Sequence, residues 1–136
     1  MRRKIGLVLA FVFMLSALIS PSVLADGISL YNNNTDTTTT RFTISNTGDA
    51  RVFIDYKGYP NITTSATISV KIEKRVLLAF WDEVIERTFT VTGESYSTTL
   101  IIPLDKTGTY RCTVTYTISG TGGADDEIVF QDTASY

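Results

Sequence analysis

The sequence predicts an all-β domain of about seven antiparallel strands packed as a two-layer sandwich. Short runs in which apolar and polar residues alternate recur at intervals of about ten residues, with turn-forming residues between them. No long amphipathic helical pattern interrupts these runs. Evenly spaced strands with one apolar face each favour an antiparallel sandwich over a fold in which strands and helices alternate.

The first 25 residues have the three-part composition of a secretory signal peptide. Met1-Arg-Arg-Lys4 is positively charged, Ile5–Ile19 is apolar or small, and Val23-Leu-Ala25 offers the small residues that signal peptidase reads. We therefore expect cleavage after Ala25 and a secreted protein, extracellular or associated with the cell surface. An uncleaved anchor is the alternative, but its apolar core of about 15 residues is shorter than the ~20 that a spanning helix needs.

The charge of the exported chain argues against several partners. Removing Arg2, Arg3 and Lys4 leaves nine basic residues against 14 acidic ones, a net charge of −5. A chain this acidic, without a basic run, is not expected to bind nucleic acid or anionic lipid. Membrane contact is expected only through the signal peptide before cleavage.

Cys112 is the only cysteine, so no disulfide can form within the chain. It lies on the apolar face of a predicted strand, which indicates a small buried hydrophobic residue. An exported domain without disulfides is more typical of a Gram-positive bacterium than of a eukaryotic secretory pathway.

The exported chain divides into a polar leader, residues 26–40, and a β-sandwich domain, residues 41–136. The leader is rich in Asn and Thr and offers little to bury. Two strands around the turn at Asn46–Asp49 are predicted to pair as a hairpin. Their inward-facing residues are Phe42 and Ile44 on the first strand, and Val52, Ile54 and Tyr56 on the second.

The middle of the domain contains one regular strand and one ambiguous segment. Ser65–Lys74 alternates cleanly, with Ala66, Ile68, Val70 and Ile72 facing inward. Val76–Trp81 is continuously apolar, so periodicity does not distinguish a strand from a helix; joined to the next six residues it could form two helical turns. The β-branched and aromatic residues on both sides favour an extended segment, with Trp81 covering the core.

The second half of the domain holds the best-defined strand. Tyr110–Ile118 alternates throughout, and its apolar face consists of Tyr110, Cys112, Val114, Tyr116 and Ile118. Two shorter strands, Thr88–Thr92 and Tyr96–Ile102, precede it. A flexible loop and a last strand around Ile128 and Phe130 follow it, and the remaining residues are expected to fray.

The segment Gly108-Thr-Tyr110-Arg-Cys112 resembles the tyrosine corner of immunoglobulin-like domains, in which the tyrosine hydroxyl bonds back to nearby backbone. The partner cysteine of true immunoglobulin domains is missing. We therefore expect an immunoglobulin-like sandwich that lacks the disulfide.

A second resemblance covers most of the exported chain. It rests on Gly48–Val52, Ile68–Lys74, Trp81-Asp-Glu-Val84, Gly108–Val114 and Tyr136. In these segments the chain is similar to an uncharacterised family of small exported Firmicutes proteins. The resemblance implies export and a β-fold, and it implies no activity.

The sequence predicts no catalytic, cofactor or metal site. There is no histidine, which excludes Ser-His-Asp and Cys-His catalysis and the usual zinc sites. Asp82, Glu83 and Glu86 lie beside Trp81 and leave open a small carboxylate-based glycan hydrolase. Asp125-Asp-Glu127 is a weaker candidate, for a calcium site.

We expect a non-enzymatic surface-binding or interaction module, whose partner is a cell-wall glycan or a surface protein. The candidate ligand surface is aromatic and consists of Tyr56, Tyr59 and Trp81, with Tyr31 beside it, because aromatic rings stack on sugars. The alternatives are the glycan hydrolase and a structural or assembly unit that pairs through an edge strand such as Tyr96–Ile102.

Overall fold

The computed structural model describes residues 32–136, so the predicted signal peptide and the first residues of the predicted leader lie outside the described part. The described chain forms seven strands: β1 (Thr35–Ile44), β2 (Asp49–Gly58), β3 (Thr63–Leu77), β4 (Phe80–Thr92), β5 (Ser95–Pro103), β6 (Thr109–Gly120) and β7 (Asp126–Ser135). Residues 32–136 contain no helix, and hence none that could cross a membrane. The predicted all-β class is confirmed.

The strands form two antiparallel sheets. One has three strands in the order β1-β2-β5, and the other has four in the order β4-β3-β6-β7. β6, the strand with the clearest alternation in the sequence, lies between β3 and β7 and is an interior strand, as predicted. β4 and β5 each pair with one neighbour only and are edge strands.

The core lies between the two sheets and is built from the alternating residues that the sequence analysis assigns to the inner faces. Buried side chains from the three-stranded sheet are Phe42, Ala50, Val52, Ile54, Tyr56 and Ile102; those from the four-stranded sheet are Ala66, Ile68, Val70, Ile72, Tyr110, Cys112, Val114, Tyr116 and Ile118. Burying each of the larger aliphatic side chains stabilises the fold by about 1.5–3 kcal/mol. The Tyr116 hydroxyl lies 2.5 Å from Thr40 Oγ1, so this buried polar atom is satisfied across the two sheets.

The predicted tyrosine corner is present. The Tyr110 hydroxyl donates a hydrogen bond to the carbonyl oxygen of Lys106, four residues upstream. Cys112 is fully buried and unpaired. Burial, and secondarily the negative charge of Asp132, raises the pKa of its thiol to about 12.

The predicted boundary between leader and domain is wrong, because β1 begins at Thr35 and not at residue 41. Asp126 holds the start of this strand. Its carboxylate accepts hydrogen bonds from the backbone nitrogens of Asn33 (2.8 Å) and Asn34 (2.7 Å) and from Thr35 Oγ1 (2.8 Å). The polar composition of the segment therefore reflects hydrogen bonding to a distant carboxylate and not a lack of structure.

The predicted fraying of the C-terminal residues is also wrong. β7 continues to Ser135, and Tyr136 exchanges two backbone hydrogen bonds with Gly108, of 2.9 and 3.0 Å. The Tyr136 ring lies over Gly48, where an added Cβ would come within 2.7 Å of it. Gly48 has a φ of 86°, which also favours glycine.

Candidate functional site

The hairpin formed by β3 and β4 extends past the end of its sheet. The pairing of β3 with β6 ends at Lys74 and Tyr110, whereas β3 and β4 pair with each other as far as Leu77 and Phe80. The ambiguous apolar run of the sequence is thus a strand end, a two-residue turn and a strand start, which confirms the extended interpretation. We call residues 76–80 the hairpin tip.

The hairpin tip is apolar and exposed. Leu78 is 98% exposed, Leu77 67% and Phe80 66%. Val76 and, across the hairpin, Val84 are each about half exposed. Isolated exposed hydrophobic residues are common, but a contiguous apolar patch on a small domain is typical of a contact surface.

Trp81 stabilises the base of the tip and does not cover the core, so that prediction is wrong. The guanidinium groups of Arg75 and Arg111 lie 4.9 and 4.5 Å from the centre of its ring. Arg111 also makes an ion pair with Glu73, at 2.7 Å. Because Arg111 alternates with the inward-facing Tyr110, this stack lies on the outer face of the four-stranded sheet. Each cation–π contact contributes about 0.5–2 kcal/mol.

An open cleft of about 450 Å³ lies between the base of the tip and the tyrosine corner. Its lining carries charges of both signs, with three cationic and two acidic side chains. The lining residues are Lys74, Arg75, Val76, Asp82, Val84, Asp105, Lys106 and Tyr110.

The three carboxylates that the sequence analysis considered for hydrolysis do not all lie on one face of β4. Asp82 and Glu83 are consecutive on β4, so their side chains leave opposite faces of the strand. Glu86 is exposed and accepts a hydrogen bond from Ser69 Oγ at 3.2 Å. Asp82 shares the cleft with Asp105, but both are exposed and have lysines among their neighbours in the lining. By contrast, a carboxyl group that acts as a general acid lies in apolar surroundings, which keep it protonated.

The predicted aromatic ligand surface is not assembled. Tyr56 is 1% exposed, and its hydroxyl donates to the carbonyl oxygen of Gly93 at 2.9 Å, so it belongs to the core. Burial also raises the pKa of this hydroxyl. Tyr59 is half-buried in the loop before β3, while Trp81 lies at the other end of β3. Tyr31 lies outside the described residues.

The acidic segment Asp125–Glu127 does not have the arrangement of a calcium site. The carboxylate of Asp126 is occupied by the three donors at the start of β1. No cluster of three or more potential metal-ligating side chains occurs within residues 32–136.

The residues of the hairpin tip were not identified from the sequence as a functional surface. The signal was present as the continuous apolar run Val76–Trp81. Such a run is equally typical of a buried strand, and its exposure follows only from the position where β6 ends.

No protein-family model and no curated protein sequence matches this chain. Among solved structures, crystal structures of a beta-glucosidase from Listeria innocua are similar over part of their length. The complex with glucose aligns with a TM-score of 0.44 and 15% identity, covering 74% of this chain and 16% of the enzyme. The complex with isofagomine aligns with a TM-score of 0.41 and 14% identity, covering 72% of this chain and 15% of the enzyme. This chain spans about one sixth of the length of that enzyme, and we infer nothing about activity from a likeness at this level.

Proposed function

We propose that the protein is an exported, non-enzymatic binding module that docks on a surface protein through its hairpin tip. The observation that carries the proposal is the exposure of Leu77, Leu78 and Phe80 on a paired two-stranded extension. Apolar side chains at the end of a hairpin fit a groove in a partner and lose their contact with water there.

The base of the tip is built to hold it in place. Arg75 and Arg111 enclose Trp81, and Glu73 fixes Arg111. A preorganised contact surface loses less conformational entropy on binding than a mobile loop, which favours recognition through a small number of side chains.

The charges around the tip favour a protein groove over a lipid bilayer. Loops that insert into anionic membranes are flanked by cationic residues. Here the cleft at the base of the tip mixes two acidic side chains with three cationic ones, and residues 26–136 carry a net charge of −5. A rim that carries both signs complements a protein surface with charges of both signs.

The proposal is tested by photo-crosslinking on the host cell surface. A benzophenone amino acid replaces Leu78 in one variant and Val129, an exposed apolar residue of β7, in a control variant. We expect one crosslinked protein from position 78, none from position 129, and loss of the product when Phe80→Ser is added. Absence of a specific product, or binding to phosphatidylglycerol vesicles that Leu78→Ser abolishes, contradicts a protein partner.

One observation favours the assembly alternative. β5 is an edge strand and is the only one of the seven described strands without a charged residue. Natural edge strands usually carry charges that prevent pairing with other chains. If β5 pairs with a second copy, sedimentation velocity should show a dimer whose fraction rises with concentration, and Ile101→Lys should remove it. A strict monomer at high concentration rules this alternative out.

A further inference from the structure

A second surface, on the opposite sheet from the hairpin tip, has the composition of a ligand site. On the outer face of the three-stranded sheet, Arg41 lies opposite Phe53, and Phe53 lies opposite Thr99. Arg51 lies opposite Thr43 in the adjacent row. These five side chains line a depression of about 290 Å³.

The two arginines of this depression have no counter-ion in the part of the chain that the structure describes. Within residues 32–136, no carboxylate oxygen lies within 4.0 Å of either guanidinium; the ion pairs there involve Lys71 and Arg111, each with Glu73. None of the described aromatic rings stacks on Arg41 or Arg51, in contrast to the arginines around Trp81.

The register places the two arginines in neighbouring rows on the same face of the sheet. Arg41 is opposite Phe53, and Arg51 precedes Phe53 by two residues on the same face, so the arginines are diagonal neighbours, about 7–8 Å apart at their backbones. Two cations at this spacing repel each other, and an anion between them removes the repulsion. Guanidinium groups bind carboxylate and phosphate through paired N–H donors.

We propose that this depression binds an acidic saccharide, with its carboxylate or phosphate between Arg41 and Arg51 and its sugar ring against Phe53. The exposed hydroxyl side chains of Thr43 and Thr99 border the ring position and can bond sugar hydroxyls. The volume suits one charged group and its ring, at the small end of ligand sites.

Asp55 provides an internal test of this electrostatic argument. It lies in the row next to Arg41 and Phe53, between Thr39 and Ser97, on the same outer face as the depression. Its negative charge opposes an anionic ligand, so removing that charge should strengthen binding.

The experiment is a calorimetric titration of the purified protein at low ionic strength. The probes are trigalacturonic acid, which carries carboxylates, glucose 6-phosphate, which carries a phosphate, and neutral maltotriose. We expect at least one acidic probe to bind and maltotriose not to bind. Binding should weaken about fivefold or more in Arg41→Gln and in Arg51→Gln, and strengthen about twofold in Asp55→Asn.

Three controls separate the site from general charge effects. Arg87→Gln removes the same charge from an exposed position on β4 of the other sheet and should change binding by less than about twofold. Inorganic phosphate should bind more weakly than glucose 6-phosphate, and Phe53→Leu should remove that difference. Leu78→Ser should leave saccharide binding unchanged, since the hairpin tip is a separate surface.

The two acidic probes also distinguish the two sources of negative charge. Stronger binding of trigalacturonic acid identifies the ligand as a sugar acid, and stronger binding of glucose 6-phosphate identifies it as a sugar phosphate. The proposal is wrong if neither acidic probe binds better than maltotriose. It is equally wrong if Arg87→Gln weakens binding as much as Arg41→Gln. Circular dichroism on each variant confirms that the loss of binding occurs in folded protein.

Discussion

Replacing Asp126 by alanine should loosen the start of the first strand of the sandwich. Asp126 is buried, and its two carboxylate oxygens accept three hydrogen bonds from Asn33, Asn34 and Thr35, more than 90 residues away in the chain. The side chain of Asn34 adds hydrogen bonds to the carbonyl oxygens of Ile118 and Ala124, so the Asp126 carboxylate is one of several connections at this end of β1.

The size of the effect follows from the burial of the donors. Asn34 is 0% exposed and Thr35 1%, so water does not replace the carboxylate at these positions, whereas Asn33 is exposed. At about 1.5 kcal/mol for each bond from a buried donor to a charged acceptor, the Asp126→Ala variant should lose about 3 kcal/mol. Asp126→Asn should lose less, because one amide oxygen can still accept from both buried donors.

The assay is urea unfolding followed by tryptophan fluorescence and circular dichroism. For a small domain, a loss of about 3 kcal/mol lowers the midpoint by about 1–3 M urea. The matched control is Asp125→Ala, which removes an exposed acid from the adjacent position and should cost less than about 0.5 kcal/mol. Equal midpoints for Asp125→Ala and Asp126→Ala would refute the reasoning.

Further predictions concern the core and the hairpin tip. Because burial raises the pKa of the Cys112 thiol from 9.0 to about 12, the unfolded chain loses this proton first, and stability that is complete below pH 9 should fall as the pH rises toward 12. Cys112→Ala should show a smaller alkaline loss in urea midpoints, and rapid maleimide labelling of the native protein at neutral pH would contradict the burial. Tyr110→Phe removes the hydrogen bond to the Lys106 carbonyl and should cost about 1–2 kcal/mol, against less than about 0.5 kcal/mol for Tyr59→Phe in its loop. Leu78→Ser should leave the unfolding midpoint unchanged within about 0.5 kcal/mol, since the side chain is exposed; a larger loss would mean that the tip packs on the domain.

The parts of the fold that depend on local alternation were predictable. Every second residue from Ala66 to Ile72, and from Tyr110 to Ile118, is buried as the period of two requires. The tyrosine corner was recognisable because its residues are close together in the chain. Strands whose core face is apolar can therefore be recognised from the sequence alone.

The parts that depend on distant partners were not predictable. The polar start of β1 is ordered by Asp126, which no local pattern connects to Thr35. Trp81 was assigned to the core because an aromatic residue after an apolar run is normally buried; its actual partners include Arg111, thirty residues later and on another strand.

The candidate sites, too, could be predicted from the sequence only in part. The outward positions of Arg51 and Phe53 follow from alternation along β2, but the placement of Arg41 opposite Phe53 requires the register of the hairpin. The exposure of the tip requires knowing that β6 ends before β3 does. Sequence patterns indicate which way a side chain faces, and only the pairing shows which neighbours it meets.

The location of the Asp126 carboxylate has a mechanical consequence. The described chain enters the sandwich beside Asp126, and Thr63 at the start of β3 bonds to Asn34 there. The hairpin tip lies at the far end of β3, about 45 Å away over this 15-residue extended strand. A pulling force between an upstream attachment and a partner held on the tip would therefore run parallel to the strands. Ladder hydrogen bonds lie across this direction and would be sheared together instead of being unzipped one at a time. A domain loaded in this way would resist tension along its strands better than tension across them.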